Sequence, residues 1–300
     1  MKSWIVGVLT TAFIIWGCSP VEEKPLVISV DTWIGASPLY YAHAMGWLKE
    51  ANMQILQADS IDENLNLYET NASDVVTGTQ HEYFRLKAYH KDLIPIIIYD
   101  RSHGGDVVLS NRTIKQLTQP DTKMSVYVEL DTVGEDMLNY FLAEHNLSKE
   151  QIHIYNRNQA EIKRAKNHHW QEPLIIVTYH PHDLLLKKQG FKELASSKND
   201  YYMVVDSFMT SRPIYIQHKK QLQTLKILMD KAVAAYHTNP KLFYTTVRPY
   251  LNNPSFEEFE QMLANIRWIN NETLTPIMKK NLNELKYPTS ELINIDGAMR

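Results

Sequence analysis

Several residues in this 300-residue sequence have the types and spacing to hold a small molecule: Asp31, Trp33 and Ser37, then Thr79, Gln80 and Glu82, then Ser102 and Asp106, and last Thr132 and Tyr179. Each group stands where a strand-like apolar run gives way to a polar turn or a helix start. Aromatic rings there supply stacking walls, while hydroxyls and amides set orientation. Helix starts offer unpaired backbone amides that suit an anion. The carboxylates of Asp31, Glu82, Asp106 and Asp131 work against that, because they repel an anion and favour an amine or a hydrogen-bonding heteroaromatic ring. The chemistry expected is non-covalent capture of a neutral or cationic nitrogenous ligand, with a pyrimidine as one example.

Catalytic signatures are missing from the sequence. There is no G-x-S-x-G elbow, P-loop, H-E-x-x-H or dinucleotide glycine fingerprint, so no enzyme activity, catalytic residue or cofactor is expected. His103-Gly104-Gly105 resembles an esterase oxyanion loop but has no nucleophile elbow to serve. The chain has 12 His, yet His168-His169 and His180 with His182 match no zinc spacing and no Cys cluster accompanies them, so no metal is expected. A formal net charge of -3 without a basic block argues against nucleic acid as a partner.

The elements that would position these residues alternate strand and helix. Leu26 to Val30 reads as a strand buried on both faces, followed by an Asp31–Ala36 turn with an exposed Trp33. Ser37 then suits the N-cap and Pro38 the first position of a helix continuing to Leu48. Further strands are expected at Met53–Ala58, Asp74–Thr77, Leu93–Asp100, Val107–Ser110, Met124–Glu129, Gln151–Tyr155, Pro173–Thr178 and Val204–Thr210. Gly78–Glu82 reads as a polar turn before a helix through Tyr89. Thr132 with Glu135 has capping-box spacing at a second helix start. Gly is scarce, at 10 residues, so Gly104-Gly105 implies a sharp turn or a close approach of the backbone. Late amphipathic helices at Gln221–Tyr236 and Phe256–Ile266 would buttress the first lobe. The reading is an α/β chain of two lobes with a ligand cleft between them: 26–102 with 206–300, and 103–205.

The N-terminus reads separately. Lys2 and the apolar run Trp4–Trp16 are too short to span a membrane but fit a signal peptide over residues 1–17. Ile15-Trp16-Gly17-Cys18 resembles a bacterial lipobox, so Cys18, the one cysteine of the chain, is the expected lipidation site. Residues 18–25 then form a tether from the membrane, and Ser19 next to Cys18 favours the outer one.

Order and spacing along nearly the whole mature chain resemble the substrate-binding proteins of ABC importers in the nitrate, sulfonate, taurine and thiamine-pyrimidine class. The resemblance is carried by Trp33-Ile34-Gly35-Ala36-Ser37-Pro38-Leu39-Tyr40 with Gly46-Trp47-Leu48, by Asp74-Val75-Val76-Thr77-Gly78-Thr79 with Glu82, by Asp100-Arg101-Ser102-His103-Gly104-Gly105-Asp106, by Thr132-Val133-Gly134-Glu135, and by Tyr179-His180-Pro181 before Gly190. It implies a type II periplasmic-binding fold whose lobes close by a hinge, and a monomeric periplasmic lipoprotein that delivers its ligand to an ABC permease. Trp33, Ser37, Thr79, Gln80, Ser102, Asp106, Thr132 and Tyr179 carry over as ligand contacts. The chain departs from the pattern after Ser110, where only Ile114-Lys115-Gln116-Leu117 fills a segment that is usually Lys-Gly-Lys-like. Two alternatives stay open: a sensor that presents its closed form to a membrane signalling receptor, and a sulfonate or taurine binder.

Overall fold

A computed structural model describes residues 24–166, 171–198, 203–269, 274 and 276–293. The signal-like run, Cys18 and His168-His169 lie outside the described residues. Two sheets organise the chain. The first contains β1 (Leu26–Asp31), β2 (Met53–Ala58), β3 (Val75–Thr79), β4 (Leu93–Ser102), β10 (Val204–Ser211) and β11 (Ile266–Trp268), in the order β11-β4-β10-β3-β1-β2. The second contains β5 (Asp106–Ser110), β6 (Met124–Val128), β7 (Ile152–Asn156), β8 (Leu174–Tyr179) and β9 (Lys192–Ser196), in the order β7-β6-β8-β5-β9. The chain crosses between them after β4 and again after β9.

Within each sheet three strands pair parallel, β10 and β5 pair antiparallel to them, and β4 and β9 pair antiparallel to β10 and β5 in turn. Central strands β1, β3, β8 and β10 are apolar-rich and buried nearly end to end, because helices cover both faces. Edge strand β7 is half-buried or exposed along its whole length. One large apolar cluster surrounds the first sheet and takes in Val133 and Tyr179 from the second, so packing is continuous across the cleft. Smaller clusters lie around the second sheet.

Helices start where strands end. Helix α1 (Ser37–Ala44) follows a 3-10 turn over Ile34–Ala36, so Ala36 is its N-cap and Ser37 its first residue. The expected Ser37 cap does not form, because the Ser37 hydroxyl donates back to the Ile34 carbonyl. Gly46, at φ +79, ends that helix and a short one follows over Trp47–Glu50, where a single continuous helix was expected. Helix α2 (Gln80–Tyr89) begins directly at the end of β3 with no intervening turn. Helix α3 (Val133–Glu144) has Thr132 as N-cap; Glu135 accepts the Asp131 amide at 3.0 Å, one residue short of the capping box expected there. Strands β9 and β11 and the helix over Pro240–Val247 escaped the sequence reading.

Candidate ligand-binding site

The ends of β1, β3, β5, β8 and β10 converge on a chamber between the two sheets. Asp31, Trp33, Thr79, Glu82, Asp106 and Tyr179 line it, joined by Asp206. It leaves about 20 Å³ of room for the centre of a water-sized group, which is enough for one water or one ammonium head. The lobes are closed over it. Asp62 donates its amide to Glu129 at 2.9 Å, Arg85 donates to the Asp131 carbonyl at 3.1 Å, and His81 pairs with Asp136 at 2.7 Å, each across the cleft.

Glu82 sits at the centre of this closure. Its Oε2 accepts the Thr79 amide at 2.8 Å, as the capping box of α2, and also accepts the Thr79 hydroxyl. Its Oε1 accepts the Val133 amide, the first of α3, at 2.8 Å. One buried carboxylate therefore caps two of the helix starts that face the cleft. The place where an oxyanion would sit is taken by the protein's own side chain.

Trp33 is only 4% exposed, so it is packed and not open in the turn as its sequence context suggested. Its Nε1 donates to Asp100 at 2.8 Å, and its ring meets Tyr179 edge-on at 5.9 Å. Two glycines make room for this arrangement. A Cβ on Gly35 would lie 1.4 Å from the Asp100 carboxylate, and one on Gly105 would lie 2.4 Å from the Trp33 ring. The Gly104-Gly105 pair therefore serves close approach to an indole, with Gly104 also turning at φ +116.

The carboxylates have few partners; the buried His180 ring acts on Asp106 and opposes the effect of its burial. Burial pushes Asp31 up to about 7, against an opposing effect of the Tyr179 hydroxyl, which lies outside normal hydrogen-bond geometry. Burial likewise raises Asp106 to about 6 and Glu129 to about 7. Asp206 and Asp100 are register partners across β10 and β4. Burial, then repulsion from Asp100, holds Asp206 well above the ordinary carboxylate range. Asp106 Oδ2, Asp206 Oδ2 and the Tyr179 hydroxyl are buried without hydrogen-bond partners.

The remaining expected site residues lie elsewhere. Gln80 locks β10, donating to the Met203 carbonyl at 2.8 Å and accepting the Val205 amide at 3.0 Å. Thr132 caps α3 and lines a smaller cavity beside the chamber. Ser102 bonds Ser197, 95 residues on, at 2.6 Å, and the Ser37 hydroxyl is spent on its own turn; neither lines the chamber. Asp131 is exposed at the rim. Asp206 was missed because it lies inside β10, without a turn to mark it; its position on the strand that returns to the first sheet was the available signal.

No family model and no curated protein sequence matches this chain. Solved structures do. The ligand-binding component of an ABC-type import system from Staphylococcus aureus, with zinc bound, superposes with a TM-score of 0.68 at 12% identity, covering 88% of this chain and 91% of that one. The alkanesulfonate-binding protein SsuA from Xanthomonas axonopodis pv. citri, bound to MOPS, gives 0.68 at 14% identity over 89% and 95%. The chain has the periplasmic-binding-protein fold. A Candida albicans gene product described as defining a new family with this generic fold matches at 0.64 with 13% identity, over 87% and 89%. The fold thus occurs in proteins beyond bacterial import, and the chain's own site must carry the functional argument.

Proposed function

We propose that this protein is an extracytoplasmic solute-binding protein that captures a small nitrogenous cation between its lobes and delivers it to an ABC permease. The observation that carries the ligand class is Glu82, which already fills two helix starts where an anion could bind. Around it, Asp31, Asp106 and Asp206 present carboxyls whose full ionisation requires a positive partner. Import is supported by the fold and by solved neighbours described as parts of import systems. Cys18 would carry the lipid that holds the protein at the periplasmic face of the membrane, with residues 18–25 as tether and the two lobes at 26–102 with 206–300 and 103–205. Among the described residues no helix is long and apolar enough to cross a membrane.

The test is thermal unfolding of the full-length chain with amines, pyrimidines, nitrate, taurine and alkylsulfonates. A ligand at about 100 times its dissociation constant adds about 2.7 kcal/mol. Stabilisation by an amine or a pyrimidine is expected, and stabilisation by a sulfonate alone overturns the ligand class.

A further inference from the structure

The walls of the acidic chamber are held by bonds within the protein. Trp33 is pinned by its Nε1 bond to Asp100 at 2.8 Å and by the close approach of Gly105 to its ring. Tyr179 stands edge-on to that ring at 5.9 Å, and the next residue, His180, donates its amide to the Gly105 carbonyl at 2.9 Å. Thr79 and Glu82 are tied together as the capping box of α2, and Glu82 is tied again to the Val133 amide. Ile61, 8% exposed, closes another side at the start of the helix over Ile61–Glu69, which Ser60 caps. A larger ligand would gain room only by breaking these bonds or shifting close-packed side chains. The space of about 20 Å³ is therefore set by the fold.

Three oxygens in this space have no hydrogen-bond partner: Asp106 Oδ2, Asp206 Oδ2 and the Tyr179 hydroxyl. Their residues are 7%, 7% and 5% exposed, so water outside does not serve them. The tyrosine is not one of the acids, and its orphaned hydroxyl marks the chamber as a site independently of their charge. A buried acceptor left unpaired costs more than an ordinary hydrogen bond gains, which gives a donor-rich ligand its advantage.

We propose that the chamber takes only the smallest nitrogenous cations, ammonium and methylammonium, and excludes amines that are longer or more heavily N-alkylated. This rests on the reading of the chamber as a cation site and sets the size and donor count of what enters it. Volume sets the size: one water-sized group fits, and a chain of several carbons does not. Hydrogen bonding sets the donor count. A primary ammonium carries three N–H donors, one for each orphaned oxygen. Each added N-methyl group removes a donor and leaves a buried acceptor unpaired, the arrangement by which polar sites reject close analogues. The single methyl of methylammonium would lie against the apolar part of the wall, Ile61 and the Trp33 ring, and an aromatic ring suits a cation as well.

Calorimetric titration of the full-length chain with methylammonium, n-butylammonium and tetramethylammonium chlorides tests both limits. We expect methylammonium to bind at least about tenfold tighter than either of the others. Ile61→Ala, which enlarges the chamber, should narrow the gap between methylammonium and n-butylammonium. Tyr179→Phe keeps the ring and removes one acceptor, and should weaken methylammonium about tenfold. Equal or tighter binding of n-butylammonium by the parent chain overturns the size limit, and equal binding of tetramethylammonium overturns the hydrogen-bonding assignment; either result leaves the cation site standing. If none of the three binds, the cation reading itself fails, and the size limit with it.

Discussion

Glu82, Asp31, Asp106 and Asp206 crowd a chamber with room for one water-sized group, while Phe84 and Leu285 line a groove on the far side of Val133 and Val204. The chamber is made of polar groups brought out of water before any ligand arrives. Its carboxyls respond by holding protons, since a buried charge without a partner costs more than neutralisation does. The groove mixes polar side chains with the partly exposed Phe84 and Leu285, and such apolar surface gains when it is covered. Selectivity therefore belongs to the chamber, and a change there should alter what binds.

The largest effect is expected from Glu82→Ala, which strands the buried amides of Thr79 and Val133. Denaturant unfolding should register a loss of about 2 to 4 kcal/mol, and Glu82→Gln, which keeps an acceptor, should recover part of it. The freed helix starts should also give the Ala variant weak affinity for sulfate or an alkylsulfonate, a measurable exchange of selectivity. An Ala variant as stable as the parent would mean that Glu82 is not the shared cap. Next, Asp31→Asn should cost amine binding about 2 kcal/mol, roughly thirtyfold, with the fold retained. Unchanged amine affinity would remove Asp31 from the site.

Protonation gives a smaller and more diagnostic effect. Asp31, Asp106 and Glu129 have carboxyls raised to about 7, 6 and 7 in the folded chain. Groups raised on folding stabilise fully below the ordinary carboxylate range, and that contribution is lost as pH rises through 6 to 7. The ligand-free melting temperature should therefore fall between about pH 5.5 and pH 8, and amine affinity should rise over the same interval, because a cation binds the ionised forms. Asp183, held down to about 2 despite its burial by its pairing with His180 and Lys187, changes only in strong acid and does not blur this window. A flat melting profile would show that the chamber carboxyls find other partners in solution. The smallest effect belongs to the rim: Lys188 pairs with Glu258 across the lobes at 2.6 Å but is 61% exposed, so Lys188→Ala should shift stability by no more than about 0.5 kcal/mol in a urea melt. A larger loss would place lobe closure at the rim and not at Glu82.

Much of this architecture is legible without coordinates. Continuous β-branched runs such as Ile96-Ile97-Ile98 and Leu174–Val177 can only be buried strands in a chain of this composition, and Ser60, Thr79, Thr132 and Ser255 cap helices by local chemistry that acts within three residues. The chamber lining was legible where it lies at strand ends, as for Asp31, Thr79, Glu82, Asp106 and Tyr179. Ser37 and Ser102 stand outside that lining because each hydroxyl has another partner, Ile34 and Ser197.

By itself the sequence determined the alternation of strand and helix, the polar turns at strand ends and the surplus of acids among them, because each depends on neighbours within a few residues. Tertiary structure alone decided that Glu82 reaches past its own helix to cap a second one, 51 residues away, that Asp206 joins the chamber from the middle of a strand, and that Gly35 and Gly105 make room for one indole. Those outcomes depend on how two sheets close against each other, a distance between residues that no local spacing encodes.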